Sequence, residues 1–223
     1  VGCSGLRGGE MILQSLVKYY ETLAAKNEIS RQGWCTAKVS FALDLSEDGD
    51  LLRVIPLKRS EERGKKTVEV PRNITVPQMV SRSSGVAANF LCDNSSYMLG
   101  IDNKGKPLRS VECFVCAREK HSEILCSTDS IPARAVMRYF EKWNPDEAAS
   151  HQALEEYMEE ILGGANLVFN VGSQFVHEEE RIIQAWEDYC SSRQDEVEGI
   201  CMVTGQRDGI ARIHGTIKGV QGA

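Results

Sequence analysis

Cys113, Cys116, His121 and Cys126 stand at the spacing C-x2-C-x4-H-x4-C within the stretch CFVCAREKHSEILC, the ligand spacing of a zinc knuckle that grips single-stranded RNA. A structural zinc takes its ligands at tetrahedral corners, roughly 2.0 to 2.3 Å from the ion, so the chain must double back between them in tight turns. No Gly, Pro, Asn or Asp lies between Cys113 and Cys126, whereas Ala117, Arg118, Glu119, Lys120, Glu123 and Leu125 are good helix formers. Val111, Phe114, Val115, Ile124 and Leu125 also recur at spacings that suit one helical face. At about 100° per residue, a helix sends the four side chains to roughly 0°, 300°, 80° and 220°, which cannot close on one ion. The pattern favours a helix, and a zinc-knuckle-like RNA-binding module is the alternative.

Other chemistry has little to stand on. The four histidines, His121, His151, His177 and His214, are far apart in the chain. There is no H-E-x-x-H, no G-x-S-x-G and no phosphate loop ending in G-K-[ST]. His177 precedes three glutamates, which a helix N-terminus explains better than a metal does. The expectation is a protein that is not an enzyme and carries no metal or other cofactor.

The chain has 223 residues and a net charge of −6, which does not by itself point to nucleic acid. The distribution says more. Between Arg53 and Arg109 eleven basic residues oppose five acidic ones, while Glu141 to Glu198 is strongly acidic, with EEYMEE, HEEE and DEVE. One end suits phosphate, the other solvent or protein. No apolar run reaches the roughly 18 residues of a membrane span, and the start lacks the regions of a signal peptide. The reading is a cytoplasmic protein without a membrane partner. Eight cysteines scattered through apolar segments read as buried free thiols.

The elements that must position these residues are legible in outline. Residues 1–10, VGCSGLRGGE, are small and unpatterned and read as a leader foreign to the domain, which spans 11–223. Ile12, Leu13, Leu16, Val17, Tyr20 and Leu23 mark a helix over 11–26. Val39, Phe41, Leu43 and Leu45 alternate with polar or small residues as a strand, which turns at Asp48-Gly49 and returns over Leu51 to Leu57. KRSEERGKK reads as a polar loop, and TVEV and NITV as short strands, each ended by proline. In SSGVAANFLCDNSSYMLGIDNKGKP, a short apolar helix leads through Asn94-Ser95-Ser96 into a strand at Tyr97 to Ile101, and Asn103-Lys104-Gly105-Lys106 makes a tight basic turn. Further helices are expected over CFVCAREKHSEILC, over Ile131 to Trp143, from Asn144-Pro145 to Gly163-Gly164, and over Glu178 to Ser191. NLVFNVGSQFVH supplies two strands around Gly172-Ser173, and ICMVTGQ and IARIHGTI are strand-like. The sum is a mixed α+β fold with a mainly antiparallel sheet, hairpins and several packed helices. The ending KGVQGA lacks a capping element and reads as a cut within a longer protein.

RGKKTVEVPRNITVPQMVSRSSGVAANFLCDNSSYMLGIDNKGKP resembles the large subunit of the type I-C CRISPR Cascade complex. MILQSLVKYY, GGANLVF and VTGQRDGIARIHGTIKGVQGA resemble that family in the same order, so the likeness spans Met11 to Ala223. It implies an N-terminal domain without the family's C-terminal helical part. It also implies a role without catalysis: recognition of the protospacer-adjacent motif (PAM) in double-stranded target DNA and a start to R-loop formation. The implied partners are the other Cascade subunits with crRNA and a recruited helicase-nuclease.

A PAM is read in intact duplex, by side chains that reach base edges while cations hold phosphates. Asn89, Asn94 and Asn103 offer amides, Ser95 and Ser96 allow close approach, and Lys104 and Lys106 flank Gly105 on an extended tip suited to a narrow minor groove. Tyr97, or an amide such as Gln78, is a candidate wedge. Arg63, Lys65, Lys66, Arg72 and Arg82 are candidates to hold the backbone. The same types also suit structure: Asn89 in a buried segment, Asn94 and Ser95 in an Asx-turn, Tyr97 in the core.

Overall fold

Every residue of the strand Phe41–Leu45 (β2) is buried, and the reason is its place between two neighbours. On one side Leu51–Pro56 (β3) pairs with it antiparallel. On the other, Leu167–Val171 (β8) pairs with it in parallel, Leu43 facing Phe169. Cys92–Asp93 (β7) and Gln174–Phe175 (β9) share the far edge of β8, both antiparallel, and complete a mixed five-stranded sheet. The β2–β3 turn needs Gly49: its φ is +84°, and a Cβ there would lie 2.5 Å from the backbone nitrogen of Tyr139.

The computed structural model describes residues 12–26, 29–64, 66–82, 85–192, 198–201 and 205–209. The chain divides into Ser30–Tyr189 and a smaller unit formed by Val1–Ile29 with Cys190–Ala223. In the smaller unit, Ile12–Ala25 is the expected helix (α1), and Glu198–Ile200 (β10) pairs with Arg207–Gly209 (β11). The expected leader lies outside the described residues, as does IARIHGTI, and among the described residues of ICMVTGQ Ile200 is in a strand.

Side-chain alternation gives the sheet two apolar faces. Phe41, Leu43, Leu45, Leu167 and Phe169 face the main core, where Pro107–Leu125 (α3) and Ile131–Lys142 (α4) bring Phe114, Ile124, Tyr139 and Phe140. Ala42, Val168 and Cys92 face the other way, against Trp34–Val39 (β1) and Arg72–Pro77 (β6), a separate antiparallel ribbon. Each large apolar side chain buried this way contributes roughly 1.5–3 kcal/mol. Ser130 caps α4 by accepting the Ala133 N–H at 3.2 Å. From α4, the Tyr139 hydroxyl donates to the Met98 carbonyl at 2.8 Å, and the residue that follows the helix end, Trp143, donates its indole N–H to Leu99 at 3.0 Å. The core is thereby bolted to the segment that carries the candidate DNA-binding residues. Glu180–Ser192 (α6) follows as expected, its start capped by Glu179, which accepts the Ile182 N–H.

The α+β class, the β2–β3 hairpin, α3, α4, α6 and the strand pair around Gly172-Ser173 agree with the expectation. Five local readings need correction. KRSEERGKK is not a loop: Arg59–Arg63 (β4) pairs with Lys66–Val70 (β5), an exposed ribbon whose alternating charges need no burial. The run from Val39 to Leu45 is not one strand, because at Ser40 the backbone bonds to Asn166 and Leu57 instead and the chain changes sheet. The apolar run before Asp93 is not helical: it has no regular element before the strand residue Cys92, it bends at Phe90 and Leu91, and Leu91 lies at φ +56°. Tyr97 to Ile101 is not a strand: Asn94 caps a short helix, Ser95–Met98 (α2), and Gly100 at φ +75° follows it. Finally, the helix expected from Pro145 to Gly163 breaks into 3-10 turns Pro145–Ser150 and Gln152–Tyr157 and a helix Met158–Leu162 (α5). His151 restarts the chain by accepting the Ala153 N–H, a local bond that competes with a continuous helix.

Candidate nucleic-acid interface

Asp93, 1% exposed, is the centre of the basic segment. Its two carboxylate oxygens accept the backbone N–H groups of Asn94 at 2.8 Å and Asn89 at 2.9 Å, and both terminal nitrogens of Arg82. Arg82 also lies 4.0 Å from the centre of the Tyr97 ring and donates to the Ala87 carbonyl. Partial burial works against the Arg82 cation, but Asp93 outweighs it and raises its pKa. The Tyr97 hydroxyl accepts the Ala87 N–H at 3.2 Å, and burial pushes its own pKa up. One buried carboxylate thus ties Arg82 to the backbone at Asn89 and Asn94, since a buried charge persists only when paired and hydrogen-bonded.

His121 clamps the same segment to α3. It is fully buried; its Nε2 accepts the Leu91 N–H at 2.9 Å, so its Nδ1 carries the proton and donates to the Ala117 carbonyl at 2.7 Å. Burial holds its pKa down to about 4, and the ring is neutral. The bond supports Leu91 in a left-handed conformation that a branched side chain adopts reluctantly. This geometry overturns the zinc-knuckle alternative. Both ring nitrogens are engaged, Cys113 is buried with its thiol pKa pushed up by burial, and Cys126 is exposed beyond the end of α3. Among the described residues no group of three potential ligands is placed to hold a metal.

A cavity of about 260 Å³ opens beside this framework, lined by Arg82, Asn94, Ser96, Tyr97, Lys104 and Lys106, and also by Gly85, Asp102, Arg109 and Cys113. Asp102 builds its rim. Partial burial would raise the Asp102 pKa, but the Ser110 hydroxyl at 2.6 Å and the Lys104 N–H at 2.7 Å hold it below the usual carboxylate range. The turn therefore presents Lys104 and Lys106 on either side of Gly105, at φ +68°, with both lysines exposed and no ion-pair partner for them among the described residues. Pro107 then starts α3 with no side-chain cap, so the positive end of the helix lies at the cavity edge. Arg109 is held to the Gly85 carbonyl at 2.9 Å.

Six of the residues picked out in the sequence thus meet in one place. Asn94 is half-buried: its Oδ1 accepts the Ser96 N–H at 3.0 Å, and its Nδ2 makes no hydrogen bond among the described residues. Asn103 is exposed on the turn. Asn89 and Ser95 do not line the cavity: both are buried, and Asn89 accepts the Val80 N–H at 2.8 Å. Lys66 is exposed on β5, Arg72 is exposed on β6 away from this cavity, and Gln78 is exposed after β6. Lys65 lies outside the described residues. In the sequence, Asp93, Asp102 and Arg109 stand out only as charges. The signal that marks them further is position, since Asp93 immediately precedes a helix cap and Asp102 sits two residues before Lys104 in a turn.

A family model described as CRISPR-associated protein (Cas_Csd1) matches residues 16–223. No curated protein matches the chain. No helix among the described residues is long and apolar enough to cross a membrane.

Proposed function

The chain belongs to the CRISPR-associated Cas_Csd1 family, and from that premise we propose that it acts in a type I-C Cascade complex as a non-catalytic reader of target DNA. It recognises the protospacer-adjacent motif of the duplex and helps to start the R-loop. Other Cascade subunits carry the crRNA, and a recruited helicase-nuclease cuts. The chain is the N-terminal domain of the large subunit in this reading.

The observation that carries the proposal is the cation-rimmed cavity, in which two exposed lysines without a salt bridge among the described residues stand on a turn fixed by Asp102, and the Asn94 amide nitrogen has no hydrogen bond among those residues. A cavity of about 260 Å³ does not admit a duplex. The duplex lies across the mouth: Lys104 and Lys106 hold phosphates, and the Asn94 amide donates to a base edge, which in an A·T-rich minor groove presents mostly acceptors. Arg82 and Tyr97 form a rigid floor rather than free contacts, because Asp93 holds the guanidinium. Asn89 and Ser95 act from inside, by fixing the loop. Asn103 and Ser96 add hydrogen bonds at the rim, and Lys66, exposed at the start of β5, gives a second phosphate grip.

The test is duplex affinity of the complex reconstituted with the full-length subunit, on matched and PAM-scrambled DNA at two salt concentrations. Lys104→Ala with Lys106→Ala should weaken both duplexes and flatten the salt dependence, by about 0.9 in log–log slope for each phosphate no longer neutralised. Asn94→Ser keeps a helix-capping oxygen and removes the amide, so it should erase the preference for matched DNA. If both variants discriminate and bind like wild type, the cavity is not the reader.

A further inference from the structure

A second cavity, of about 330 Å³, lies where β1 and β6 meet the turn Val176–Glu178 and α6. It differs from the first in what it leaves unsatisfied. Trp34 and His177 line it, 6% and 1% exposed, and the Trp34 indole N–H and both His177 ring nitrogens are buried without a hydrogen-bond partner among the described residues. Native proteins rarely leave such groups unmade, because each unsatisfied buried donor or acceptor is expensive.

The lining states what would satisfy them. Phe175 and His177 are stacked, ring centres 5.4 Å apart and planes within 11°, and form an aromatic platform of which only the half-buried Phe175 ring is more than marginally exposed. Burial holds the His177 pKa down to about 4, so the imidazole is neutral and offers one donor and one acceptor. With the indole N–H, the residues that line the cavity carry two donors and one acceptor, each nitrogen itself buried, and nucleobase edges carry both kinds of group. At the rim stand Arg72, which is exposed, and Arg31, which pairs with Glu187 at 3.0 Å and lies 4.6 Å from the centre of the Trp34 ring. Against these two cations the lining has one carboxylate, Glu178. The volume falls at the small end of ligand sites, about 300–1,000 Å³.

We propose that this cavity receives one unstacked nucleotide, its base on the Phe175–His177 platform and hydrogen-bonded by Trp34 and His177, its phosphate on Arg72 and Arg31. The class of ligand rests on the nucleic-acid reading above, but the residues are different ones. In the complex, a strand released from a duplex would supply such a nucleotide while the Lys104 turn holds the intact duplex.

The experiment uses the 223-residue chain and reads the Trp34 indole N–H resonance, identified as the one missing from Trp34→Phe. The probes are the deoxynucleoside monophosphates, short homopolymeric single strands of DNA and of RNA, and inorganic phosphate. Saturable movement of the resonance with a mononucleotide, and tighter binding of one kind of strand, supports the site and names its source. His177→Phe keeps an aromatic ring on Phe175 and should weaken mononucleotide binding about tenfold, the effect of losing buried hydrogen bonds. Arg72→Gln, at an exposed position that leaves the core intact, should weaken it about threefold and reduce salt sensitivity. Movement with phosphate alone to the same extent, no saturable movement with any nucleotide, or unchanged affinity in both variants overturns the proposal. Failure here leaves the Lys104 turn untouched, since that reading is tested in the complex by other residues.

Discussion

Two histidines are buried in the larger unit, and they are used in opposite ways. His121 accepts the Leu91 N–H and donates to Ala117, so its region is a closed framework that holds a strained backbone in place. Among the described residues, His177 stacks on Phe175 with neither ring nitrogen bonded, in a cavity whose Trp34 N–H is also unmet. Burial alone therefore does not distinguish structure from function in this fold. The discriminating feature is whether the hydrogen bonds close within the chain: around Asp93 and His121 they close and leave the lysines outside free to grip, whereas around His177 they stay open.

The largest effect common to both regions is acid lability. Each histidine protonates near 6.5 when unfolded but only near 4 when folded, so protons favour the unfolded chain between those values. Stability is present in full at neutral pH and is lost as pH falls through that window, on the order of 3 kcal/mol for each ring. Urea midpoints at pH 7 and near pH 4 measure it, and either histidine replaced by phenylalanine should remove about half of the loss assigned to the pair.

Asp93→Ala should come next. It strips Arg82 of its partner and leaves the Asn89 and Asn94 N–H groups unmet, for a loss of about 3 kcal/mol in denaturant unfolding. The two regions then separate at neutral pH. His121→Phe leaves the buried Leu91 N–H without a partner and should destabilise by about 1–3 kcal/mol, whereas His177→Phe removes two polar atoms that are unmet among the described residues and should change stability by less than about 1 kcal/mol in either direction. Equal losses in the two variants would mean that His177 is as structural as His121, and the contrast would fall.

Legibility in the sequence follows the same division. Elements set by local periodicity are legible: α3 and α4 by apolar spacing, the β2–β3 hairpin by alternation around Gly49, the Asn94 turn by residue type. The segment from Gly85 to Gly100 departs from its expected elements because its shape is set by partners distant in sequence. Arg82 closes on Asp93 across eleven positions and His121 reaches Leu91 across thirty, and neither bond leaves a local pattern. The charges of KRSEERGKK point to exposure, which holds for Arg59, Ser60, Glu62 and Lys66, and to a loop, which does not hold, because a two-stranded ribbon exposes its side chains as readily. The lysine tip is legible since nothing in a core explains Lys104 and Lys106. The His177 cavity is not, because Trp34 and His177 are brought together across 143 positions in the sequence and each alone reads as ordinary core.

The smallest expected effect is the sharpest test of the first region. Asn94→Ser should alter stability by no more than about 0.5 kcal/mol, because serine caps a helix nearly as well as asparagine does. The Asn94 side-chain oxygen accepts the Ser96 N–H, and the amide nitrogen has no hydrogen bond among the described residues. A variant that unfolds like wild type but no longer separates matched from scrambled duplex would therefore assign the loss to that nitrogen. A variant that loses stability as well would place Asn94 with His121, among the groups whose hydrogen bonds close within the chain, and leave the Lys104 turn as a grip without a reader.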